Sequence, residues 1–358
     1  MQLLTPQNFT DYELIDSGNF EKLERWGTYI TARPEPQAMW DKRLSQQEWN
    51  KLMHVKFVPK SSSSGMWSSV KQMPDRWNIS YRLGGGDSGQ GAMSKGQEAG
   101  SEEHAKGKGQ GARSGEYARG REQEAGGIEE VDNKILKSTN NSPSGMDASR
   151  GGFLSFRLAL TSFKHVGLFP EQSVNWDFIY NSIKQMKTPQ PKVLNLFAYT
   201  GASSLAAKAA GADVTHLDSI KQVVTWAREN MEHSNLNNIR WVVEDAVTYV
   251  KRELKRGKKY NGIILDPPAF GHGPNGESWK LEDEINDMLK MVAQLLEEDE
   301  RFVVLNTYSL GLSSLIIENM MHDTFKTKTP AATGEIYLQS RTQQKLPLGV
   351  FGRFCELQ

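Results

Sequence analysis

Four short stretches of this 358-residue chain place acidic, aromatic and small residues at the ends of apolar runs, where a side chain is free to do chemistry. The first runs from Val193 through Asn195, Leu196, Phe197, Ala198, Tyr199, Thr200 and Gly201 into a helical pattern at Ala202. Gly201 permits close backbone approach, and a helix N-terminus offers free N–H groups to a carboxylate or a phosphate. The single glycine falls short of the GxGxxG spacing of a pyrophosphate binder, which argues against a dinucleotide. The second stretch ends on Asp218, 23 residues after Asn195. A carboxylate there can accept both ribose hydroxyls of an adenosyl group, or simply cap a surface helix. The third ends on Asp245, which can take the exocyclic amine of adenine, cap the helix that starts at Ala246, or do both. The fourth is Ile264-Leu265-Asp266-Pro267-Pro268-Ala269-Phe270-Gly271. Two adjacent prolines fix φ and remove two N–H donors, so the Asp266 carboxylate and nearby carbonyls are held stiffly with no ladder to join. Such a turn can accept hydrogens from a planar base while Phe270 stacks on it; a plain stop after a strand is the blander alternative.

These residues need strands that end side by side, and the pattern from about Val174 supplies them. A helical period (Trp176, Ile179, Tyr180, Ile183, Met186) leads into strict alternation. Strands are expected at 193–196, 214–217, 239–243, 262–265 and 302–305, and helices at 202–210, 220–232, 247–255 and 281–296. Apolar strands separated by helices of this length make a parallel sheet covered on both faces, and ligands then sit outside the carboxyl ends of the strands. Segments near 334–338 and 348–354 suggest a closing antiparallel hairpin. The expected fold is α/β: a doubly wound, mostly parallel, seven-stranded Rossmann-like sheet with an antiparallel edge strand, preceded by a small β-rich (α+β) domain.

That first part, residues 1–83, carries five of the nine tryptophans among short apolar runs and turn signals, with one helix expected near Ser45 to Met53. Between Gly84 and Arg150 lie 15 of the 32 glycines and few large apolar residues, too few to offset an ordering entropy of about 1–2 kcal/mol per residue. Residues 84–150 therefore read as a disordered, Gly-rich insert. It interrupts a hairpin that pairs 77–83 with 152–160, a position where added length costs little. The division is thus 1–83 with 151–172 as an accessory domain, and 173–358 as the ligand-binding domain.

Lys plus Arg and Asp plus Glu both total 43, so any nucleic-acid surface must be local rather than a bulk charge effect. Candidates are the run Lys251 to Lys259, and the first domain with Lys42, Arg43, Lys51, Lys56 and Lys60. The single cysteine, Cys355, excludes a disulfide framework and a CxxC metal site. No apolar run approaches the ~18 residues of a membrane span, and the first residues have neither a basic region nor an apolar signal core. A cytoplasmic protein with no membrane or metal partner is the expectation.

Taken together, the strand ends resemble the class I S-adenosylmethionine-dependent methyltransferases, and within them the bacterial large-subunit ribosomal RNA cytosine-C5 and guanine-N7 methyltransferase group. The resemblance rests on Asn195 to Gly201, Asp218, Asp245, Asp266 to Phe270, and Leu305-Asn306-Thr307-Tyr308-Ser309. Lys164 to Gln172 resembles the segment that covers the cofactor in that group. What it implies is S-adenosyl-L-methionine as cofactor, with Asn195, Phe197, Tyr199, Thr200, Gly201, Gln172, Asp218, Asp245 and Asp266 around it. The methionine carboxylate would lie near Thr200 and Gly201, the ribose on Asp218 and adenine near Asp245. The methyl group would face Asp266 and Pro267, and Phe270 and Tyr308 would flank the acceptor, a base of RNA, ribosomal RNA foremost.

One departure matters. Cytosine-C5 methylation ordinarily needs a cysteine thiolate, and the relatives that do this carry it in the loop that reads Asn306 to Gly311 here, without one. Cys355 lies near the C-terminus in an expected edge strand. A nitrogen acceptor, which needs only alignment and removal of a proton, is favoured, with Asp266 sufficient for the latter and His165 a further candidate base. Two rivals keep parts of this reading: a methyltransferase of a small molecule or protein, and a non-catalytic RNA-binding protein on the same fold.

Overall fold

The computed structural model describes residues 1–61, 64–84, 152–308 and 311–357. The expectation of a disordered insert over 84–150 lies, but for Gly84, outside the described residues.

The chain opens with β1 (Gln2–Leu4) and then builds a five-stranded sheet from β2 (Tyr12–Gly18), β3 (Glu21–Trp26), β4 (Tyr29–Pro34), β5 (Val55–Pro59) and β6 (Gly65–Ser69), in that order. Neighbours are antiparallel except β4 and β5, which are parallel and joined across helix α1 (Gln46–Leu52). The helix starts where its sequence says: the Ser45 side chain accepts from the Glu48 backbone N–H while Glu48 reaches back to the Ser45 backbone, a capping box. Its Trp49 packs with Ile15, Leu23, Ala32 and Met53 into a small core of its own. Strands β7 (Arg76–Arg82) and β8 (Phe153–Ala159) form the expected antiparallel hairpin, with Trp77, Ile79 and Tyr81 buried at every second position.

A 3₁₀ turn (Pro170–Gln172) then leads into α2 (Ser173–Gln185) and the alternating part. In order these are β9 (Lys192–Leu196), α3 (Ala202–Ala209), β10 (Asp213–Asp218), α4 (Lys221–His233), β11 (Ile239–Val243) and α5 (Ala246–Lys255). They continue as β12 (Gly262–Leu265), a short hairpin of β13 (Phe270–His272) and β14 (Ser278–Lys280), α6 (Leu281–Leu295), β15 (Arg301–Thr307), α7 (Ser314–Thr324), β16 (Ala332–Gln339) and β17 (Lys345–Glu356).

The large sheet runs β1-β16-β17-β15-β12-β9-β10-β11. Strands β9 to β12 and β15 are parallel, as the alternation requires. The antiparallel strand expected at the edge is β17, and it is flanked on both sides: the β16–β17 hairpin folds back so that β16 lies beyond it. The three residues of β1 then add an eighth strand parallel to β16. Chain order reverses between β9 and β12, so the loops after β9 and β12 splay apart and leave a crevice at the carboxyl ends of the strands. Both faces are covered. On one, α6 buries Leu281, Ile285, Met288, Leu289, Val292 and Leu295, a three-and-four spacing worth about 1.5–3 kcal/mol per side chain.

Candidate active site

Over that crevice opens a cavity of about 460 Å³, and the first strand end, after β9, turns sharply beneath it. Phe197 (φ 55), Tyr199 (φ 48) and Gly201 (φ 92) all take left-handed backbone conformations within five residues. Such strain in non-glycine residues persists only where the surroundings enforce it. Here the enforcing groups are visible: the Ala198 N–H donates to Leu217 O (3.0 Å), and the Tyr199 N–H donates to an Asp218 carboxylate oxygen (2.9 Å). Phe197 and Tyr199 line the cavity.

Asn195, Thr200 and Gly201 lie below it instead. The Asn195 amide donates to Ser204 Oγ (2.8 Å), which meets His216 Nδ1 (3.0 Å), a buried chain that ties β9 to α3 and β10. Burial pushes His216 down to about 3, so it stays neutral. The Thr200 hydroxyl donates to Gly167 O (2.6 Å), fastening the turn to the segment between β8 and α2. At Gly201 a Cβ would stand 2.9 Å from Ala227 Cβ, so this glycine lets α3 and α4 approach.

Asp218 closes β10 at the cavity wall. One of its oxygens holds the Tyr199 N–H and the other the Ile220 N–H (3.0 Å), and burial raises its pKa despite both bonds. Asp245 also faces the cavity, and it is the N-cap of α5: its Oδ1 accepts from the Thr248 N–H at 2.8 Å. The helix cap and the cavity position therefore belong to one residue.

Asp266, at the end of β12, accepts from Asn306 Nδ2 (2.9 Å). Burial pushes its carboxyl up to about 6, against the pull of that bond. The prolines that follow are pinned by β13 and β14, which the sequence did not announce: Trp279 Nε1 donates to Pro268 O (2.8 Å), and its ring meets Phe197 at 4.9 Å between centroids. Pro267 lines the cavity, and Phe270, 71% exposed, stands at its mouth. Tyr308 lines it too, and its hydroxyl donates to Glu35 Oε1 (2.9 Å) from the first part of the chain. Gln172 is buried in the wall, with its Oε1 taking the Asn175 amide (2.8 Å).

Sequence reasoning assigned no site role to the wall residues Lys22, Arg33 and Glu35 of the β-rich part, while Lys164 and Glu171 come from the segment expected to cover the cofactor, without a role of their own. The available signal was charge inside apolar strands, as in Glu21-Lys22-Leu23-Glu24-Arg25-Trp26. His165 is also there, pushed down to about 3 by burial and by Arg33 and Lys164 nearby.

Cys355 belongs elsewhere. It sits in β17 opposite Phe302, in the sheet interior rather than at an edge, and burial raises its thiol. The basic candidates are partly neutralised: Lys42 and Lys56 pair with Glu21 (2.7 and 2.6 Å), and Arg252 with Glu244. Among the described residues no helix is long and apolar enough to cross a membrane.

Residues 159–310 match a family described as Conserved hypothetical protein 95. Over 155 residues the chain is 30% identical to the ribosomal RNA large subunit methyltransferase K/L of Shewanella frigidimarina, a match that covers 42% of this chain and 21% of that protein. The protein of the same name from Pseudoalteromonas atlantica is 29% identical over 144 residues, 39% of this chain and 19% of that one. The chain thus spans about a fifth of the length of these relatives. The crystal structure of the SAM-dependent methyltransferase from Agrobacterium tumefaciens superposes with a TM-score of 0.74 at 28% identity, over 99% of this chain and 93% of that one. A Streptococcus mutans structure, 13% identical, matches at 0.61 over 98% and 76%, a likeness of fold alone. The resemblance read from the strand ends is met in these comparisons: the similar sequences are named ribosomal RNA large subunit methyltransferases, and the structure that superposes at 28% identity is a SAM-dependent methyltransferase.

Proposed function

We propose that this chain is a class I methyltransferase that transfers a methyl group from S-adenosyl-L-methionine to a base of RNA, ribosomal RNA foremost, and that the acceptor atom is a nitrogen. The observation that carries the reading is the convergence of Asp218, Asp245 and Asp266 on one cavity, with two exposed aromatic side chains, Phe270 and Tyr308, at the same cavity. The residues fit the cofactor by size and by chemistry: about 460 Å³ is room for a ligand of that class, and carboxylates stand ready for its hydroxyl and amine donors.

In this reading Asp218, already holding the strained turn at Tyr199, takes the ribose hydroxyls. Asp245 takes the adenine amine, Phe197, Tyr199 and Gln172 form the surrounding wall, and Asn195, Thr200 and Gly201 act from below by fixing the turn. When bound, the cofactor supplies a methyl group on a positive sulfonium, which is neutralised as the methyl leaves. The protein has mainly to align and to exclude water. Asp266, held by Asn306 beside Pro267, accepts a hydrogen bond from the target nitrogen and can receive its proton. Phe270 and Tyr308 flank a base that must arrive single-stranded or flipped, since a duplex keeps it out of such a pocket. Residues 1–83 with 151–172 serve as the accessory domain that presents RNA, the cytoplasm being the compartment where that substrate is met.

The test is transfer of labelled methyl to ribosomal RNA from a strain lacking the gene, with mass spectrometry of the nucleosides. D266A should abolish transfer and leave binding of S-adenosylhomocysteine intact. Label that enters a protein or metabolite fraction, and no RNA, overturns the reading.

A further inference from the structure

Part of the cavity wall comes from the β-rich sheet and from the segment after β8, and its charges are almost all paired off. Arg33 donates to both oxygens of Glu24 (2.6 and 3.0 Å) and to Lys164 O (3.0 Å). Lys22 Nζ lies 3.1 Å from Glu35 and 3.6 Å from Glu24, the Tyr12 hydroxyl donates to Glu24 (2.8 Å), and Tyr308 holds Glu35. Among the acceptors Glu171 is the exception. It is 4% exposed, it faces the cavity, and its Oε2 meets no donor among the described residues.

A buried acceptor without a donor costs about 1–3 kcal/mol, and more when it is charged, so one that persists in a cavity wall calls for a ligand that brings the donor. Asn306 repeats the motif. Its amide N–H is spent on Asp266, and its buried Oδ1 also meets no donor among the described residues. Burial raises the Glu171 carboxyl to about 7, against the attraction of Lys22 and Arg33 and with Glu24 repelling, so above neutral pH it is an acceptor only. Both orphan acceptors thus ask for an N–H from whatever fills the cavity.

We propose that Glu171 is a specificity-determining residue for the acceptor: its Oε2 receives an N–H from the hydrogen-bonding edge of the target base, which selects bases carrying an amino group over uracil. Uracil sets its one ring N–H between two carbonyls, and these would face the carboxylate. The assignment deepens the methyltransferase reading of this cavity and rests on it.

The experiment uses the full chain, tritiated S-adenosylmethionine and ribosomal RNA from a strain lacking the gene, comparing wild type with E171Q. Glutamine keeps the shape and removes the charge. The expected result is a fall of about 10- to 100-fold in kcat/KM for RNA, the loss of a hydrogen bond to a charged group. The unfolding midpoint should hold or rise, the affinity for S-adenosylhomocysteine by calorimetry should hold, and the wild-type product should be a methylated adenosine, cytidine or guanosine. Weakened S-adenosylhomocysteine binding with unaltered transfer at saturating cofactor would reassign Glu171 to the cofactor, and a methylated uridine would equally overturn the proposal. If the wild type binds S-adenosylhomocysteine but methylates no ribosomal RNA, the RNA reading and this assignment fall together. Absence of S-adenosylhomocysteine binding to the wild type would bring down the methyltransferase reading itself.

Discussion

At the level of single residues, a carboxylate that equips the cavity can weaken the fold. Asp266 has an ordinary pKa of 3.8 and about 6 in the folded protein, so the folded chain holds its proton longer than the unfolded one. Between those values the folded state binds more protons, and stability falls as pH rises through that window. D266N removes the penalty. Its unfolding midpoint should exceed that of wild type above about pH 6 and match it below about pH 4, while methyl transfer is lost; thermal melts across pH check the first half and the RNA assay the second. Wild-type transfer should fall as pH drops through about 6, because the protonated carboxyl can no longer accept. Asp245 separates two roles that its sequence position leaves merged. D245N keeps an N-cap acceptor for the Thr248 N–H, so stability should stay within about 0.5 kcal/mol, whereas D245A should cost about 1 kcal/mol. Both should weaken S-adenosylhomocysteine binding, measured by calorimetry, if the residue meets adenine. Equal affinity for D245N and wild type would reduce Asp245 to a cap.

Among the elements, the segment between β8 and α2 acts as a strap rather than a loop. Gly167 has φ +106, and a Cβ there would lie 2.2 Å from the Trp226 ring, whose Nε1 is held by Arg157 O (2.9 Å) and whose face carries the Arg157 guanidinium at 4.3 Å. The Gly167 carbonyl in turn receives the Thr200 hydroxyl. G167A should therefore cost about 2–4 kcal/mol in denaturant unfolding, from backbone strain together with overpacking. It should also lower S-adenosylhomocysteine affinity, since the turn after β9 loses its fastening. The elements missed in the sequence share a physical cause. β13 and β14 are three residues each, β1 likewise, and α7 is only weakly amphipathic. Elements this short leave no period to read, and their pairing partners are supplied through space.

Across the whole molecule, the β-rich part and the α/β part share one wall. Arg33 reaches from β4 to Lys164 O, Tyr308 reaches from the loop after β15 to Glu35, and β1 pairs with β16 more than 300 residues away. R33A would leave Glu24 buried without its bidentate partner. Breaking such a pair costs about 3–5 kcal/mol, so the unfolding midpoint should fall steeply. The sequence by itself determined the repeating strands and helices, the hairpin of β7 and β8, the capping box at Ser45, and the four strand ends, because each is written in local periodicity or turn chemistry. It also separated Cys355 from the loop after β15. Only the tertiary structure decided that Asn195, Thr200 and Gly201 brace the turn from below, and that β17 lies inside the sheet. It alone brought Lys22, Arg33 and Glu35 to the cavity and left Glu171 there without a donor for its Oε2. Those outcomes depend on which distant strands pair and which charges are buried together, and neither is encoded in the spacing of neighbouring residues.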